Sequence, residues 1–229
     1  MRSRREEKFI LDYRIYSLVK SRVSSALRPD IHYINGSYTV TSLYFDDFYK
    51  TAYYEKADGL SAHTKFRIRT YDFSDDFIRL EKKKKNGIVT SKSSLVISKD
   101  ELRLLMDSPF TVEGFSEKLM PLAAEMQSKG VRPAVTVRYR REAFFLEGTD
   151  VRVTFDTRVE SVPGDMDSLF NDKRQGIPAI NPISVIMEIK YGNKLPTLIR
   201  RLCCADVLPL SVSKYALCTE NIRLPAGKY

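Results

Sequence analysis

Lys65-Phe66-Arg67-Ile68-Arg69-Thr70-Tyr71 places a basic side chain at every second position, with Phe66 and Ile68 between the cations. A β-strand turns successive side chains to opposite faces, so this spacing sets the three cations in one row and the apolar groups on the reverse side. Like charges in a row repel one another unless an anion lies among them. The stretch therefore predicts a strand with one face for a core and the other for a polyanion.

The same alternation of charged and apolar residues recurs later in the chain. Charged residues share one face in each of three segments, namely Arg79, Glu81 and Lys83; Arg152 and Asp156; and Glu188 and Lys190. Only alternate members of the lysine run 82–85 can turn to the same face as Glu81. Lys82 and Lys84 are therefore expected on the reverse side, in solvent.

The charge of the whole chain agrees with an anionic partner. Its 229 residues carry 38 Lys and Arg against 29 Asp and Glu, a net charge of +9, and 43% of the residues are hydrophobic. This composition indicates a globular protein, one domain over 1–229, with a cationic excess spread along the chain. The classes of partner that it favours are polyphosphate, nucleotides, nucleic acid and an anionic membrane surface.

The cysteines and the apolar runs bear on the compartment. Cys203, Cys204 and Cys218 offer no even framework of disulfides, which favours reduced thiols and a cytoplasmic protein. No apolar run approaches the roughly 18 residues of a spanning helix. The N-terminal residues lead into no signal-peptide core, so we expect no transmembrane segment.

Turn and cap signals divide the chain into about eight strands with helices inserted between them. Asp12 is a predicted N-cap for a helix to about Leu27, and Ser98 with Glu101 forms a predicted capping box. Asn86-Gly87 is a hairpin signal. Mostly hairpin-linked strands with separate helices predict an α+β fold with a largely antiparallel sheet.

Two architectures fit these strands. Helices can cover the apolar faces from outside, so that the charged faces meet inside a closed eight-stranded antiparallel barrel, a tunnel wide enough for one slender ligand. A cationic lumen is tolerable only if carboxylates, water or a bound polyanion compensate its charge. The alternative is a sandwich that packs on the apolar faces and leaves the charge in solvent. Alternation alone leaves both open.

Seven segments of the sequence, in order, resemble the VTC (vacuolar transporter chaperone) domain, a polyphosphate polymerase module of the triphosphate tunnel metalloenzyme, or CYTH-like, superfamily. The resemblance runs from about Arg4 to Tyr215. It rests on Ser42-Leu43-Tyr44-Phe45-Asp46, Lys65 to Tyr71, Leu80-Glu81-Lys82-Lys83, Tyr139-Arg140-Arg141-Glu142-Ala143-Phe144, Val151-Arg152-Val153-Thr154-Phe155-Asp156, Met187-Glu188-Ile189-Lys190-Tyr191 and Ser213-Lys214-Tyr215.

The resemblance implies a closed eight-stranded tunnel that transfers the γ-phosphoryl group of ATP to a growing polyphosphate chain, with a divalent metal, Mn²⁺ or Mg²⁺. It implies ATP and inorganic polyphosphate or pyrophosphate as partners and leaves room for a partner protein in a membrane. The regulatory and membrane segments of eukaryotic relatives are absent from this sequence, which indicates a stand-alone catalytic module.

The site residues implied by the resemblance fall into three groups. The catalytic cations would be Lys65, Arg67, Arg141, Arg152 and Lys214. Further substrate contacts would come from Lys8, Arg69, Lys83, Lys92, Tyr139 and Lys190. Glu188 would hold the metal, with Glu6, Glu81 and Asp156 as further candidates, although pairing with a neighbouring cation explains those three equally well. Tyr44 is expected to be a packing residue.

The sequence departs from the wider superfamily at its start. The superfamily begins with Glu-x-Glu-x-Lys, and here Arg4 replaces the first glutamate of the register that ends at Lys8. Losing a carboxylate and gaining a cation fits the polymerase branch better than the hydrolase branch. It leaves the number of metals open.

Three other functions compete with polymerisation. A tunnel triphosphatase would use the same residues with water as the acceptor, and a non-catalytic polyphosphate-binding module would turn nothing over. Nucleic-acid binding would require outward-facing cations with aromatic platforms, and a narrow lumen could not admit a duplex. Nucleic acid is therefore not expected as a partner.

Overall fold

The computed structural model describes residues 5–30, 36–57, 60, 62–87, 89–107, 114–204 and 207–223, without the side chains of residues 56, 57 and 223. Arg4, at the start of the expected superfamily register, lies outside these residues. The described strands are β1 (Arg5–Leu11), β2 (Arg28–Pro29), β3 (Tyr38–Asp46), β4 (Ala62–Tyr71), β5 (Ile78–Asn86), β6 (Val89–Ile97), β7 (Arg132–Phe145), β8 (Arg152–Pro163), β9 (Ile177–Pro178) and β10 (Val185–Tyr191).

Seven helices accompany these strands in the described residues. They are α1 (Tyr13–Ala26), α2 (Thr51–Ala57), α3 (Lys99–Asp107), α4 (Met120–Ser128), α5 (Asp167–Phe170), α6 (Thr197–Cys203) and α7 (Lys214–Arg223). None of them is long and apolar enough to cross a membrane. The α+β class with an antiparallel sheet, expected from the hairpin and cap signals, is confirmed.

The strands form one open sheet, so the closed eight-stranded barrel expected from the sequence is wrong in two respects. The paired strands follow the order β1-β10-β8-β7-β3-β4-β5-β6, and the two-residue strands β2 and β9 pair with β7 and β8, which makes ten. No pairing joins β1 to β6 among the described strands. A physical reason lies at β1, where the backbone N–H of Leu210 donates to the carbonyl of Lys8 at 2.7 Å and irregular chain replaces a strand.

Backbone contacts group the residues into two compact units, each made of several segments. The first unit combines Met1–Thr39, Tyr139–Val159 and Ile180–Val212. Its core packs α1 and α6 against β1, β8 and β10, with Phe9, Phe155 and Met187 buried at its centre. Asp12 caps α1 by accepting from the Ile15 N–H at 2.9 Å, which confirms the predicted cap.

The second unit combines Val40–Arg138, Glu160–Ala179 and Ser213–Tyr229. Its core is formed by the apolar faces of β3, β4 and β5 under α3 and α4. The predicted capping box at α3 is confirmed, because Ser98 Oγ accepts from the Glu101 N–H at 3.1 Å and the Glu101 carboxylate accepts from the Ser98 N–H at 2.9 Å. Packing of the apolar faces of β4 and β5 into this core leaves their charged faces on the opposite side of the sheet.

Candidate functional site

The row of cations on β4 lies on the face that the core of the second unit leaves free. Phe66 and Ile68 are 1% and 0% exposed within that core, and Lys65, Arg67 and Arg69 alternate with them. The neighbouring strand shows the same division. Lys82 lies on the core side of β5, as expected from the alternation, and so takes no part in the row. It is not in solvent as expected, because its side chain is 20% exposed and pairs with Glu125 of α4.

Like charges face one another across β4, β5 and β6. Arg69 is the cross-strand partner of Arg79. Lys65 is the partner of Lys83, which in turn is the partner of Lys92. Directly opposed like charges are destabilising by up to about 1 kcal/mol per pair. This face of the sheet therefore carries a cationic excess that a bound anion would relieve.

Glu81 supplies negative charge within this row. Its carboxylate lies 2.6 Å from both Nε and Nη2 of Arg67 and 3.8 Å from Nη1 of Arg69, and it accepts a hydrogen bond from Lys92. Burial alone would raise the pKa of Glu81, but the charges of Arg67 and Arg69 and the hydrogen bond from Lys92 outweigh it and lower the pKa to about 2. Glu81 thus remains ionised at neutral pH and orients Arg67.

Two tyrosines support the cations of the second unit. The Tyr44 hydroxyl accepts from Nη1 of Arg67 at 2.9 Å, and its ring stacks on that of Tyr215 at 4.8 Å between centroids. The Lys65 ammonium lies 5.0 Å from the centroid of the Tyr215 ring, whose hydroxyl donates to Asp46. Burial raises the pKa of Tyr215, and its hydrogen bond to Asp46 raises it further. Tyr44 therefore does more than pack.

In the first unit, Arg141 and Asp156 form a buried bidentate pair. The distances are 2.6 Å from Nε and 2.7 Å from Nη2 to the two carboxylate oxygens, and Asp156 is 0% exposed. Burial would lower the pKa of Arg141, but the Asp156 charge outweighs it and raises the pKa. The ring of Tyr139, two residues earlier on the same face, lies 5.0 Å from the guanidinium carbon. The bidentate contact with Asp156 therefore fixes the orientation of the Arg141 guanidinium.

Glu188 lies among three cations at longer distances. Its carboxylate is 3.8 Å from Lys8, 3.6 Å from Arg141 and 3.5 Å from Lys190. A charge-assisted hydrogen bond is about 2.7–2.9 Å long, so these three contacts are electrostatic and not tight. Glu6 is closer to its partner, with 3.1 Å to Lys8. The carboxylate of Glu188 is therefore placed near the three cations Lys8, Arg141 and Lys190.

The donor set limits the way a metal could bind. No group of three His, Cys, Asp or Glu side chains suited to a metal occurs in the described part of the chain. Asp156 and Glu81 are each held by an arginine at 2.6 Å. Mg²⁺ commonly uses one or two carboxylates together with substrate phosphates and water. The residues present fit that mode, with Glu188 as the protein ligand, and do not fit an all-protein cage.

The remaining expected site residues have the following surroundings. Arg152 pairs with Asp30 at 2.6 Å and donates to the Tyr38 hydroxyl at 3.0 Å. Lys214 is buried at the start of α7. Lys8 also donates to the Val212 carbonyl at 3.1 Å.

Sequence reasoning left three residues out of the site. Arg79 continues the row on β5 but was not assigned, although its alternation with Leu80 is the signal that places it there. Tyr44 and Tyr215 gave no such signal, because aromatic residues on strands and helices usually pack. The structure joins each of them to a cation of the row.

The comparisons with known proteins bear on the family. The model of the VTC domain matches residues 3–222. No curated protein matches the chain. Solved structures similar to the chain include the PH1819 protein of Pyrococcus horikoshii OT3, with 14% identity, 95% of this chain and 97% of that one covered, and a TM-score of 0.49. A proposed adenylate cyclase of Bacillus halodurans has 14% identity, covers 85% and 81%, and has a TM-score of 0.49. Similarity at this level carries no argument about activity.

The pH dependence of stability should report the ion pairs of Glu81. Because the folded-state pKa of about 2 lies below the ordinary 4.5, the stabilisation is complete above pH 4.5 and is lost as the pH falls toward 2. Replacing Glu81 by Gln removes this titration. The gap in unfolding free energy between wild type and Glu81→Gln should therefore shrink by about 2 kcal/mol between pH 5 and pH 3.

Denaturant titrations at a series of pH values measure that gap. The matched control is Glu117→Gln, a substitution at an exposed position. A gap for Glu81→Gln that stays constant over this range would contradict the assigned ion pairs.

Proposed function

The chain belongs to the VTC domain family, and on that premise we propose that it is a polyphosphate polymerase. It would transfer the γ-phosphoryl group of ATP to the end of an inorganic polyphosphate chain. The observation that carries the proposal is the cationic face of β4, β5 and β6, where Arg69 opposes Arg79 and Lys65 opposes Lys83. A phosphate chain is the kind of ligand that relieves such a row along its whole length.

The chemistry asks for positioning and charge neutralisation. A terminal oxygen of the polyphosphate attacks the γ-phosphorus, the bond from that phosphorus to the β,γ-bridging oxygen breaks, and ADP leaves with the electron pair. The transition state is loose and spreads negative charge over the equatorial oxygens. Fixed cations stabilise that charge without reorganising during the reaction. Side chains held by buried carboxylates meet this requirement.

Arginine is suited to this role because its planar fork binds two oxygens of one phosphate, whereas lysine acts as a mobile point charge. Glu81 holds Arg67, and Asp156 holds Arg141, each at 2.6 Å. We assign transition-state stabilisation to the cations Lys65, Arg67, Arg141, Arg152 and Lys214. Ground-state phosphate contacts are assigned to Lys8, Arg69, Lys83, Lys92, Tyr139 and Lys190.

A divalent metal, Mn²⁺ or Mg²⁺, would be held by Glu188 together with oxygens of the bound phosphates. When bound, it would neutralise part of the phosphate charge. The proposal needs one carboxylate for this purpose. The position of Glu188 near Lys8, Arg141 and Lys190, at 3.5–3.8 Å, supports its choice, because these are cations to which phosphate contacts are assigned.

The products of a single incubation test the proposed reaction. Purified protein with ATP and Mn²⁺ should form chains that lengthen with time on a polyphosphate-stained gel, with ADP released in step. Orthophosphate from tripolyphosphate without chain growth would instead identify a tunnel triphosphatase. Binding of phosphate chains without any turnover would identify a binding module. Either outcome would contradict polymerisation.

The division of the strand faces predicts which lysines and arginines matter. Arg67→Ala should lower kcat/KM for ATP by about tenfold or more, because a hydrogen bond to a charged group contributes about 1.5–3 kcal/mol. Lys82→Ala and Lys84→Ala are the matched controls on the neighbouring strand, where Lys82 pairs with Glu125 and Lys84 is exposed. Each should change kcat/KM by less than about threefold, because both side chains lie on the face of β5 opposite to the row and neither would contact the phosphates. If Lys82→Ala were as damaging as Arg67→Ala, the assigned faces would be reversed.

Glu188→Gln keeps the size of the side chain and removes the charge that a hard cation requires. Turnover should fall by about 10²-fold or more if a metal supplies several kcal/mol. The concentration of Mn²⁺ that gives half-maximal activity should rise as well. The measurement is a metal titration of turnover for both proteins. Wild-type turnover of Glu188→Gln across that titration would exclude Glu188 as the metal ligand.

A further inference from the structure

A pocket with a volume of about 490 Å³ lies in the second unit, apart from the charged row. It is lined by the segment that follows β3, the start of β7 and one side of α7. This volume falls within the range of small-molecule sites, about 300–1,000 Å³. The pocket is therefore large enough for a ring system and a sugar.

Its lining is mostly apolar and includes an exposed aromatic ring. Phe48 is 90% exposed and Ile222 is 48% exposed, whereas Val135, which also lines the pocket, is buried. The Phe48 ring contacts that of Tyr49 edge-to-face, at 5.5 Å between centroids, and most of its surface remains exposed to solvent. It is the kind of surface on which a planar heterocycle stacks.

The charged groups of the pocket balance one another. Asp46 and Asp47 contribute two carboxylates, and Lys50 and Arg132 contribute two cations. Asp46 is already engaged, because it accepts from the N–H groups of Ala52 at 2.9 Å and Tyr53 at 3.1 Å and from the Tyr215 hydroxyl. A balanced pocket favours an uncharged ligand group over a phosphate, whereas the row on β4 to β6 has a cationic excess.

Tyr215 connects the pocket with that row. Its side chain lines the pocket and also contacts the Lys65 ammonium and the Tyr44 ring, which touches Arg67. A ligand that uses both places needs a neutral planar part joined to a phosphate chain. We propose that the pocket binds the base and ribose of the nucleotide whose phosphates bind at Lys65 and Arg67. This inference rests on the proposed function and extends it to recognition of the nucleoside.

Two ligands separate the nucleoside from the phosphates. Dissociation constants for ATP and for inorganic tripolyphosphate are measured by calorimetry in the same buffer and metal. Phe48→Ala should weaken ATP binding by about fivefold or more, the range of base stacking on an aromatic side chain. Ile222→Ala should weaken ATP binding in the same direction. Both variants should leave tripolyphosphate binding within about twofold of wild type, because the phosphate contacts are unchanged.

The control is Leu208→Ala, which removes an apolar side chain that is 83% exposed and does not line the pocket. It should bind both ligands as wild type does. Unchanged ATP binding by Phe48→Ala, or equal weakening of both ligands, would overturn the nucleoside site. With either of these results, the proposed function would still be supported if the wild type bound tripolyphosphate and Arg67→Ala did not. Failure of the wild type to bind either ligand would overturn both.

Discussion

Repulsion between cations on one face of β4, β5 and β6 is the constraint on which this protein's site depends. Arg69 faces Arg79 and Lys65 faces Lys83 across antiparallel strands. Packing of Phe66 and Ile68 into the core on the reverse side fixes this arrangement. The cations cannot turn away from one another without exposing that core. Burial of the apolar face thus holds like charges together on the opposite face, where the proposed function needs them.

Carboxylates neutralise part of the positive charge of the candidate site residues in both units. On β5, Glu81 engages Arg67, Arg69 and Lys92, and its lowered pKa reflects their combined charge. In the first unit, Asp156 forms a bidentate pair with Arg141. Glu188 lies near three cations. Removing one partner of a buried ion pair costs several kcal/mol, so these carboxylates orient the arginines as well as neutralise them. In the proposed function, a phosphate would therefore meet donors whose geometry is already fixed.

Local patterns in the sequence predicted the strands, their faces and two helix starts. The row Lys65 to Arg69, the reverse orientation of Lys82 and the cap at Asp12 follow from periods of two residues or from bonds three residues apart. Such features need no knowledge of distant partners. The family resemblance also came from local motifs. The assigned roles of the individual site residues remain predictions.

Features that depend on residues far apart in the chain could not be predicted from the sequence. Closure of a barrel requires β1 to pair with β6, and the sequence does not reveal that irregular chain at Leu210 takes the edge of β1. The contact of Tyr215 with Lys65 joins residues 150 positions apart, and no periodicity encodes it. Arg79 alternates with apolar residues as the other cations do, but it lies outside the segments that resemble the VTC domain and was therefore not assigned to the site. The pocket beside Tyr215 likewise arises from three segments that meet only in the fold.

The most direct test of the central claim is the melting temperature in tripolyphosphate compared with chloride at the same ionic strength. A ligand that binds only the folded state stabilises it by RT ln(1 + [L]/Kd). A defined row of opposed cations predicts a rise of several degrees in about millimolar tripolyphosphate, well beyond the effect of chloride, and a much smaller rise in Arg67→Ala. Equal shifts from tripolyphosphate and chloride would mean that the cations are merely screened, and they would contradict a phosphate-binding face.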